Sequence, residues 1–291
     1  MKRILCKSTL VLALLTCGLI SCSGNILKEF AKTDTDEALL IEAKIHMNNS
    51  EWAQAIATFG KMSTAFAARR EIKLQEAKAY AGSCGVDLLS MADSLSKNLG
   101  TGRMLNILMG AMVGSTQAQA DDCITAESLI TGIAGNAANR TTEENTTVAF
   151  IAFGKVGAIL AAFADDADGN ATVDADFNGC DSTAAVGIPD NYVAQVGTGI
   201  TIGSSSLTEA LVNGGNAGSN ELSSLTGACT NMSGNYSSND FCSITDASTF
   251  SAAAILGIRF MINDDQTMGV GGLKACNLGV APPTSGYCIC P

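Results

Sequence analysis

Apolar residues recur with a helical period in the N-terminal third of the chain. One series occupies residues 38–46, and Thr35-Asp36 can cap its first turn. A turn at residues 48–50 follows, and after it apolar side chains recur at the i, i+3, i+4, i+7 spacing of one helix face. This second series consists of Trp52, Ala55, Ile56, Phe59 and Met62. Two antiparallel helices joined by a short turn are therefore expected.

A sequence repeat extends this pattern. The segment LIEAKIHM at residues 40–47 recurs as LQEAKAYA at 74–81, an offset of 34 residues. With this period, with the small residues Ala43, Ala55 and Ala77 and with Phe59 at the aromatic position, the segment resembles the tetratricopeptide repeat family. The resemblance implies close-packed helical hairpins over residues 37–95, although no proline stands near residue 67. A generic pair of helical hairpins is the alternative.

Further helices are predicted at residues 104–113, 124–138, 148–164 and 248–262. The run at 148–164 approaches the length of a membrane span, but Lys155 near its middle favours a buried core helix. Between residues 165 and 247 the composition shifts to Gly, Asn, Ser, Asp and Thr, which predicts long loops with brief helices at 192–202 and 207–212. The predicted fold class is all-α: tetratricopeptide-like hairpins followed by a helical region with long, disulfide-clipped loops.

The N-terminus has the features of an export signal. Met1-Lys2-Arg3 is basic, residues 10–20 form a short apolar run, and the following Leu19-Ile20-Ser21-Cys22 resembles the lipobox of bacterial lipoproteins. The resemblance implies that Cys22 is acylated after removal of residues 1–21 and anchors the chain to the membrane. Ser23 in place of aspartate implies, by resemblance to lipoprotein sorting, the outer membrane. Resemblance to tetratricopeptide lipoproteins suggests that the protein faces the periplasm, and exposure at the cell surface is the alternative. An ordinary signal peptide with a chance cysteine is the alternative.

These features suggest four regions. They are a lipoprotein signal peptide (1–21), a lipidated tether (22–36), a tetratricopeptide-like helical region (37–115) and a helical, cysteine-containing acidic region (116–291). The cysteines after Cys22 are even in number, as a disulfide framework in an oxidising compartment requires. The disulfide candidates are Cys84, Cys123, Cys180, Cys229, Cys242, Cys276, Cys288 and Cys290. Cys288 and Cys290 stand too close together to bond comfortably, so each is expected to reach an earlier cysteine.

The charge balance argues against nucleic-acid partners. The chain has 28 acidic and 17 basic residues, and beyond Gly110 it has only the basic residues Arg140, Lys155, Arg259 and Lys274. An acidic surface of this kind repels phosphate backbones. The single histidine, His46, also excludes most zinc sites and catalytic triads that depend on histidine, so no enzymatic activity is predicted.

One acidic stretch could hold a calcium ion. Carboxylate and amide oxygens alternate along residues 166–176, in a pattern that can converge on a hard cation. The candidate ligands are Asp166, Asp168, Asn170, Asp174 and Asp176. An EF-hand would require glycine and glutamate where Ala171 and Phe177 stand. The remaining hypotheses are a looser Ca²⁺ site and a solvated acidic turn. No other cofactor is predicted.

Two functions agree with these features. Resemblance to tetratricopeptide lipoproteins suggests an outer-membrane-anchored scaffold or assembly factor that binds a protein partner in the cell envelope. The alternative is a small-solute-binding lipoprotein associated with a transport system. An open face of exposed side chains would favour the scaffold, and an enclosed pocket would favour the solute-binding protein.

Overall fold

The computed structural model describes residues 34–98, 103–165, 167–213, 241–263, 268–271 and 290. Within these ranges the chain forms ten α-helices, three short 3₁₀ turns and no strand, as the all-α prediction required. The helices are α1 (Asp36–Asn48), α2 (Trp52–Phe59), α3 (Thr64–Ala67), α4 (Arg70–Cys84), α5 (Leu88–Asn98), α6 (Met104–Ala111), α7 (Gln117–Thr131), α8 (Thr142–Ala164), α9 (Asp190–Asn213) and α10 (Ala252–Asn263).

Helix α8 is the centre of the molecule. It packs against α9, α7 and α6, and α10 packs on the other side of α9. Its N-terminus is closed by a capping box in which Thr141 and Glu144 satisfy each other's backbone N–H groups. Its length and hydropathy would allow it to cross a membrane, but 89% of its most apolar window is buried within the protein. The prediction of a buried core helix containing Lys155 is therefore confirmed.

The N-terminal helices form an outer layer on this bundle. α1 and α2 pair as the predicted hairpin around the buried side chains of Ala43, Ala55 and Phe59. Thr35 caps α1, and Asp36 accepts hydrogen bonds from the Ser63 backbone N–H (2.7 Å) and hydroxyl, which lower its pKa. Since Ser63 is the N-cap residue of α3, these contacts fix the start of α1 to the segment that follows α2.

The second repeat copy begins with α4, 34 residues after the start of α1, but α4 packs mainly against α7. Ala77, the counterpart of Ala43, is fully buried in a separate apolar cluster between α4, α7 and α8. The disulfide Cys84–Cys123 joins α4 to α7. The repeat offset is thus retained in the helix starts, while the packing of α4 is set by the bundle rather than by a second hairpin.

Ion pairs connect the outer layer to α8. The Arg70 guanidinium binds the nearly buried carboxylate of Glu144 and holds its pKa at about 2. One residue earlier, the Glu143 carboxylate accepts a hydrogen bond from Lys78 at 2.9 Å. Since both acids belong to the first turn of α8, they also interact favourably with its helix dipole.

The loop-rich prediction for residues 165–247 was wrong over α9, which is one helix of 24 residues. The glycines and serines that suggested a loop are positions of close approach. A Cβ on Gly203 would lie 2.6 Å from the Phe153 ring, and one on Gly199 would lie 2.9 Å from the carbonyl oxygen of Ala152. Small residues let α9 pack directly on α8, and this packing stabilises a sequence of low helix propensity.

The segment between α8 and α9 is irregular, as predicted, and a side chain of α10 holds it in place. The buried guanidinium of Arg259 donates hydrogen bonds to the carbonyl groups of Gly179, Asp181 and Ile188 at 2.8–2.9 Å. It also pairs with Asp190 in the first turn of α9. The Arg259 side chain thereby connects this segment to α10 and to the start of α9.

Three predicted helices have different ends in the structure. Residues 124–138 divide into the C-terminal half of α7 and a 3₁₀ turn at Ala137–Asn139, because α7 begins earlier at a Thr116 capping box. Residues 248–251 belong to a 3₁₀ turn and its extended exit, so α10 begins only at residue 252. Helix α6 ends at Ala111, two residues before the predicted end.

Candidate functional site

A pocket of about 270 Å³, partly open to solvent, lies where α1, α2, α4, α5 and α8 meet. We call it the hairpin cavity. Its walls are mainly apolar and come from five helices and one connecting segment, so it exists only when the outer layer is docked on the bundle. The lining residues are Met47, Asn48, Trp52, Lys78, Ala81, Gly82, Val86, Leu88, Thr147 and Ile151.

Trp52 forms one wall of the hairpin cavity, and its position depends on Gly82. A Cβ placed on Gly82 would lie 2.6 Å from the six-membered ring of Trp52, far closer than a van der Waals contact. The indole therefore lies directly over the backbone of α4. Trp52 is the only tryptophan in the chain, and it is partly exposed.

The polar groups of the hairpin cavity carry no net charge. The ammonium group of Lys78 is neutralised by Glu143, and the Thr147 hydroxyl donates a hydrogen bond to the Glu143 carbonyl at 2.8 Å. Asn48, an exposed residue in the last turn of α1, adds a neutral side-chain amide. The lining thus combines a mainly apolar surface with an exposed amide, as small-molecule sites commonly do.

An exposed apolar stripe runs along α1 toward the hairpin cavity. Ile41 is 61% exposed and Ile45 is 54% exposed, although isoleucine is usually buried in a folded protein. The two residues are four apart on the same helix face, and Asn48 follows three positions later. We call Ile41 and Ile45 the α1 stripe.

The predicted calcium segment forms a compact acidic loop at the end of α8. One carboxylate oxygen from each of Asp165, Asp168 and Asp174 lies within 4.8 Å of the other two. The Asp165 carboxylate accepts backbone hydrogen bonds from Asn170 at 3.1 Å and Ala171 at 2.8 Å. These bonds hold the loop in shape, so the loop geometry has an explanation without a cation, although the three carboxylates could hold one.

The other candidate ligands are placed differently. The Asn170 amide donates to Asp168 at 2.6 Å and accepts from the Thr172 backbone, so it braces the loop. Asp176 is exposed and is not one of the three converging carboxylates, and Asp166 lies outside the described residues. Asp165 was not among the predicted ligands, because it lies one position before the alternating stretch at 166–176.

Two disulfides are formed among the described cysteines. Cys84 bonds to Cys123, and Cys180 bonds to Cys290, which agrees with the expectation that Cys290 reaches an earlier cysteine. Cys242 is also disulfide-bonded. Cys22, Cys229, Cys276 and Cys288 lie outside the described residues.

A buried polar network lies in the interior between α7, α8 and α9. The Lys155 ammonium group is fully buried, contacts the Glu127 carboxylate and donates to Gln195 and Thr198, each at 2.9 Å. Burial lowers the pKa of Lys155, and Glu127 acts in the opposite direction. All three ammonium hydrogens have a partner, and the group is enclosed in protein, so we assign this network to the structure of the core.

No known protein family matches the chain, and neither does any curated protein or solved structure. The hairpin cavity itself had no sequence signal. Its walls belong to segments as distant as residues 47 and 151, and no local pattern specifies a gap between packed helices.

Proposed function

We propose that the chain is a lipoprotein of the outer membrane that faces the periplasm and acts as a protein-binding scaffold or assembly factor rather than as an enzyme. The lipobox-like sequence Leu19-Ile20-Ser21-Cys22 supports the anchor. The two described disulfides are consistent with an oxidising compartment. The acidic charge of the chain argues against nucleic acid as the partner.

The α1 stripe is the observation that carries the scaffold proposal. Two isoleucines one turn apart remain exposed on a helix whose opposite face is well packed, so they form a small apolar patch that a partner could cover. The tetratricopeptide-like start of the chain suggests the same use, since such hairpins present one helix of each pair to a partner. The proposed partner is an envelope protein that covers Ile41 and Ile45.

The anchor is tested by replacing Cys22 with serine. We expect the variant to move from the membrane pellet to the soluble periplasmic fraction, because the thiol that would carry the acyl chains is gone. The wild-type chain and a Ser23→Ala variant serve as controls that keep the cysteine. Retention of Cys22→Ser in the membrane pellet would contradict the lipoprotein proposal.

Photo-crosslinking in living cells tests the scaffold. A photoreactive side chain at position 41 or 45 is expected to give an adduct of one defined mass, whereas the same group at Val212 gives none. Val212 is a matched control because it is 58% exposed, apolar and helical, but lies on α9. An Ile45→Asp variant should abolish the adduct at position 41 without lowering the melting temperature. Equal adducts at all three positions, or none at positions 41 and 45, would refute the scaffold.

The hairpin cavity favours the second candidate, a small-solute-binding lipoprotein associated with a transport system. Its mainly apolar walls, with one side-chain amide at the edge, resemble those of a ligand site. Its volume lies near the lower end of the range of volumes found for such sites. A solute-binding role needs no protein partner on the α1 stripe. The two candidates are therefore separated by experiment: the crosslinks report on the stripe, and ligand titration reports on the cavity.

A further inference from the structure

We propose that the hairpin cavity binds a compact, uncharged ligand that has an apolar body and one hydrogen-bonding group. This inference rests on the second candidate function and names its ligand class. It does not depend on the scaffold, since a titration with purified protein requires no partner.

The first argument is the chemistry of the walls. The indole of Trp52 faces the cavity together with aliphatic side chains from α1, α5 and α8, including Met47, Leu88 and the fully buried Ile151. An aromatic face and branched aliphatic groups favour a planar or branched apolar body through surface burial and ring contacts. The ligand is therefore largely hydrocarbon.

The second argument is size. A volume of about 270 Å³ corresponds to roughly nine water molecules at their share of liquid volume. Typical ligand pockets begin near this value, at about 300 Å³. A molecule with one ring and a short substituent suits this space, whereas a nucleotide or a long acyl chain is too large to be enclosed.

The third argument is charge. Lys78 is the only charged residue that lines the cavity, and Glu143 already neutralises it at 2.9 Å. A ligand carboxylate would compete with Glu143 for Lys78, and a ligand ammonium group would compete with Lys78 for Glu143. Because the pair leaves neither charge free and the other walls are mainly apolar, the site favours an uncharged ligand. The Asn48 amide then supplies the one hydrogen bond at the edge.

Trp52 provides a direct readout because it is the only tryptophan in the chain and lines the cavity. The probes are toluene, benzyl alcohol, benzoate and benzylammonium, which share one ring and differ in polarity and charge. We expect benzyl alcohol to shift the Trp52 emission to shorter wavelength in a saturable manner, with a Kd on the order of 1 mM. Benzoate and benzylammonium should bind at least about tenfold more weakly.

Two exposed asparagines in one turn give a matched pair of variants. Asn48→Ala should lower the affinity for benzyl alcohol about fivefold, which corresponds to the loss of one ordinary hydrogen bond, and leave the affinity for toluene unchanged. Asn49→Ala should change neither probe, since Asn49 follows Asn48 directly but does not line the cavity. Both substitutions are on the surface and leave the core intact.

A third variant acts on the cavity wall. In Gly82→Ala the new Cβ must displace the Trp52 ring, so we expect a changed emission maximum without ligand and a loss of at least about tenfold in affinity. A thermal melt establishes whether this variant is folded, and the asparagine pair decides the question if it is not.

Three results would overturn the proposal. They are the absence of a saturable response of the folded wild-type protein to benzyl alcohol and toluene, equal binding of the charged probes, and equal effects of Asn48→Ala and Asn49→Ala. If the titration fails while the crosslinks at positions 41 and 45 form, the ligand site is wrong and the scaffold stands. If the titration shows saturable binding and no crosslinks form at positions 41 and 45, the ligand site stands and the scaffold proposal is refuted.

Discussion

Replacing Glu127 with leucine is expected to lower the free energy of unfolding by about 3–5 kcal/mol, because it leaves the fully buried ammonium group of Lys155 without its counter-ion. Lys155→Met should have a comparable effect, since it leaves the Glu127 carboxylate buried and unpaired. The double variant should recover to within about 1 kcal/mol of wild type, or exceed it, because a buried ion pair repays little more than its own desolvation. Urea unfolding of the four proteins measures this cycle.

The pH dependence of the Glu127→Leu deficit follows from the pKa of Lys155. Burial already lowers this pKa below its ordinary value of 10.5, and removal of Glu127 lowers it further. Between the folded and unfolded pKa values, the unfolded chain binds a proton that the folded chain does not, so stability rises with pH in that window. Because the folded-state pKa is lower in the variant than in wild type, the deficit should shrink as the pH rises between these two folded-state pKa values and stay constant above them.

An exposed ion pair is the control for this experiment. Lys78 and Glu143 are 29% and 69% exposed at their side chains, so Glu143→Gln should change the free energy of unfolding by at most about 1 kcal/mol. A Glu127→Leu variant as stable as Glu143→Gln would show that water reaches the Lys155 network.

The second large effect is expected from Gly157→Ala at the crossing of α8 and α6. The added Cβ would lie 2.2 Å from the carbonyl oxygen of Leu108 and 2.7 Å from the Met112 side chain. Since a backbone oxygen cannot move aside as the tip of a side chain can, the two helices must separate. We expect a loss of about 2–3 kcal/mol, despite the higher helix propensity of alanine.

Gly110→Ala provides the matched control, because Gly110 belongs to α6 and its Cβ would meet only the Ala171 side chain at 3.6 Å. This variant should be neutral or more stable by up to about 1 kcal/mol. Thermal melts of the two alanine variants measure the difference. If Gly157→Ala and Gly110→Ala have the same melting temperature, α6 does not approach α8 closely at Gly157.

The amphipathic segments were predictable, and the glycine-rich ones were not. In α1 and α2 the hairpin forms as predicted, with Leu39, Ala43, Ala55 and Phe59 buried, but Ile41 and Ile45 of the predicted apolar series are exposed. In α9 the residues Gly199 and Gly203 suggested a loop, but they are the positions where α8 comes closest. The same residue types mark turns when exposed and close helix contacts when buried, and only burial distinguishes the two cases.

The candidate sites show the same division. The acidic loop was found from its alternating carboxylates, but its buried member Asp165 was missed. The hairpin cavity was not predictable, because it depends on how Trp52 meets Gly82 across two helices. A local sequence carries the types of side chain that chemistry requires, while a cavity is a property of several segments at once.

The amino-acid sequence alone determined the helical class of the protein, the hairpin at its start and the core position of the helix that contains Lys155. Each of these follows from periodicity or composition within one segment, where the chain fixes which side chains share a face. Only the tertiary structure decided that Glu127 pairs with Lys155, that Cys84 bonds to Cys123, and that α4 packs against α7. These pairings join residues far apart in sequence, and their geometry exists only after α4, α7 and α8 have packed together.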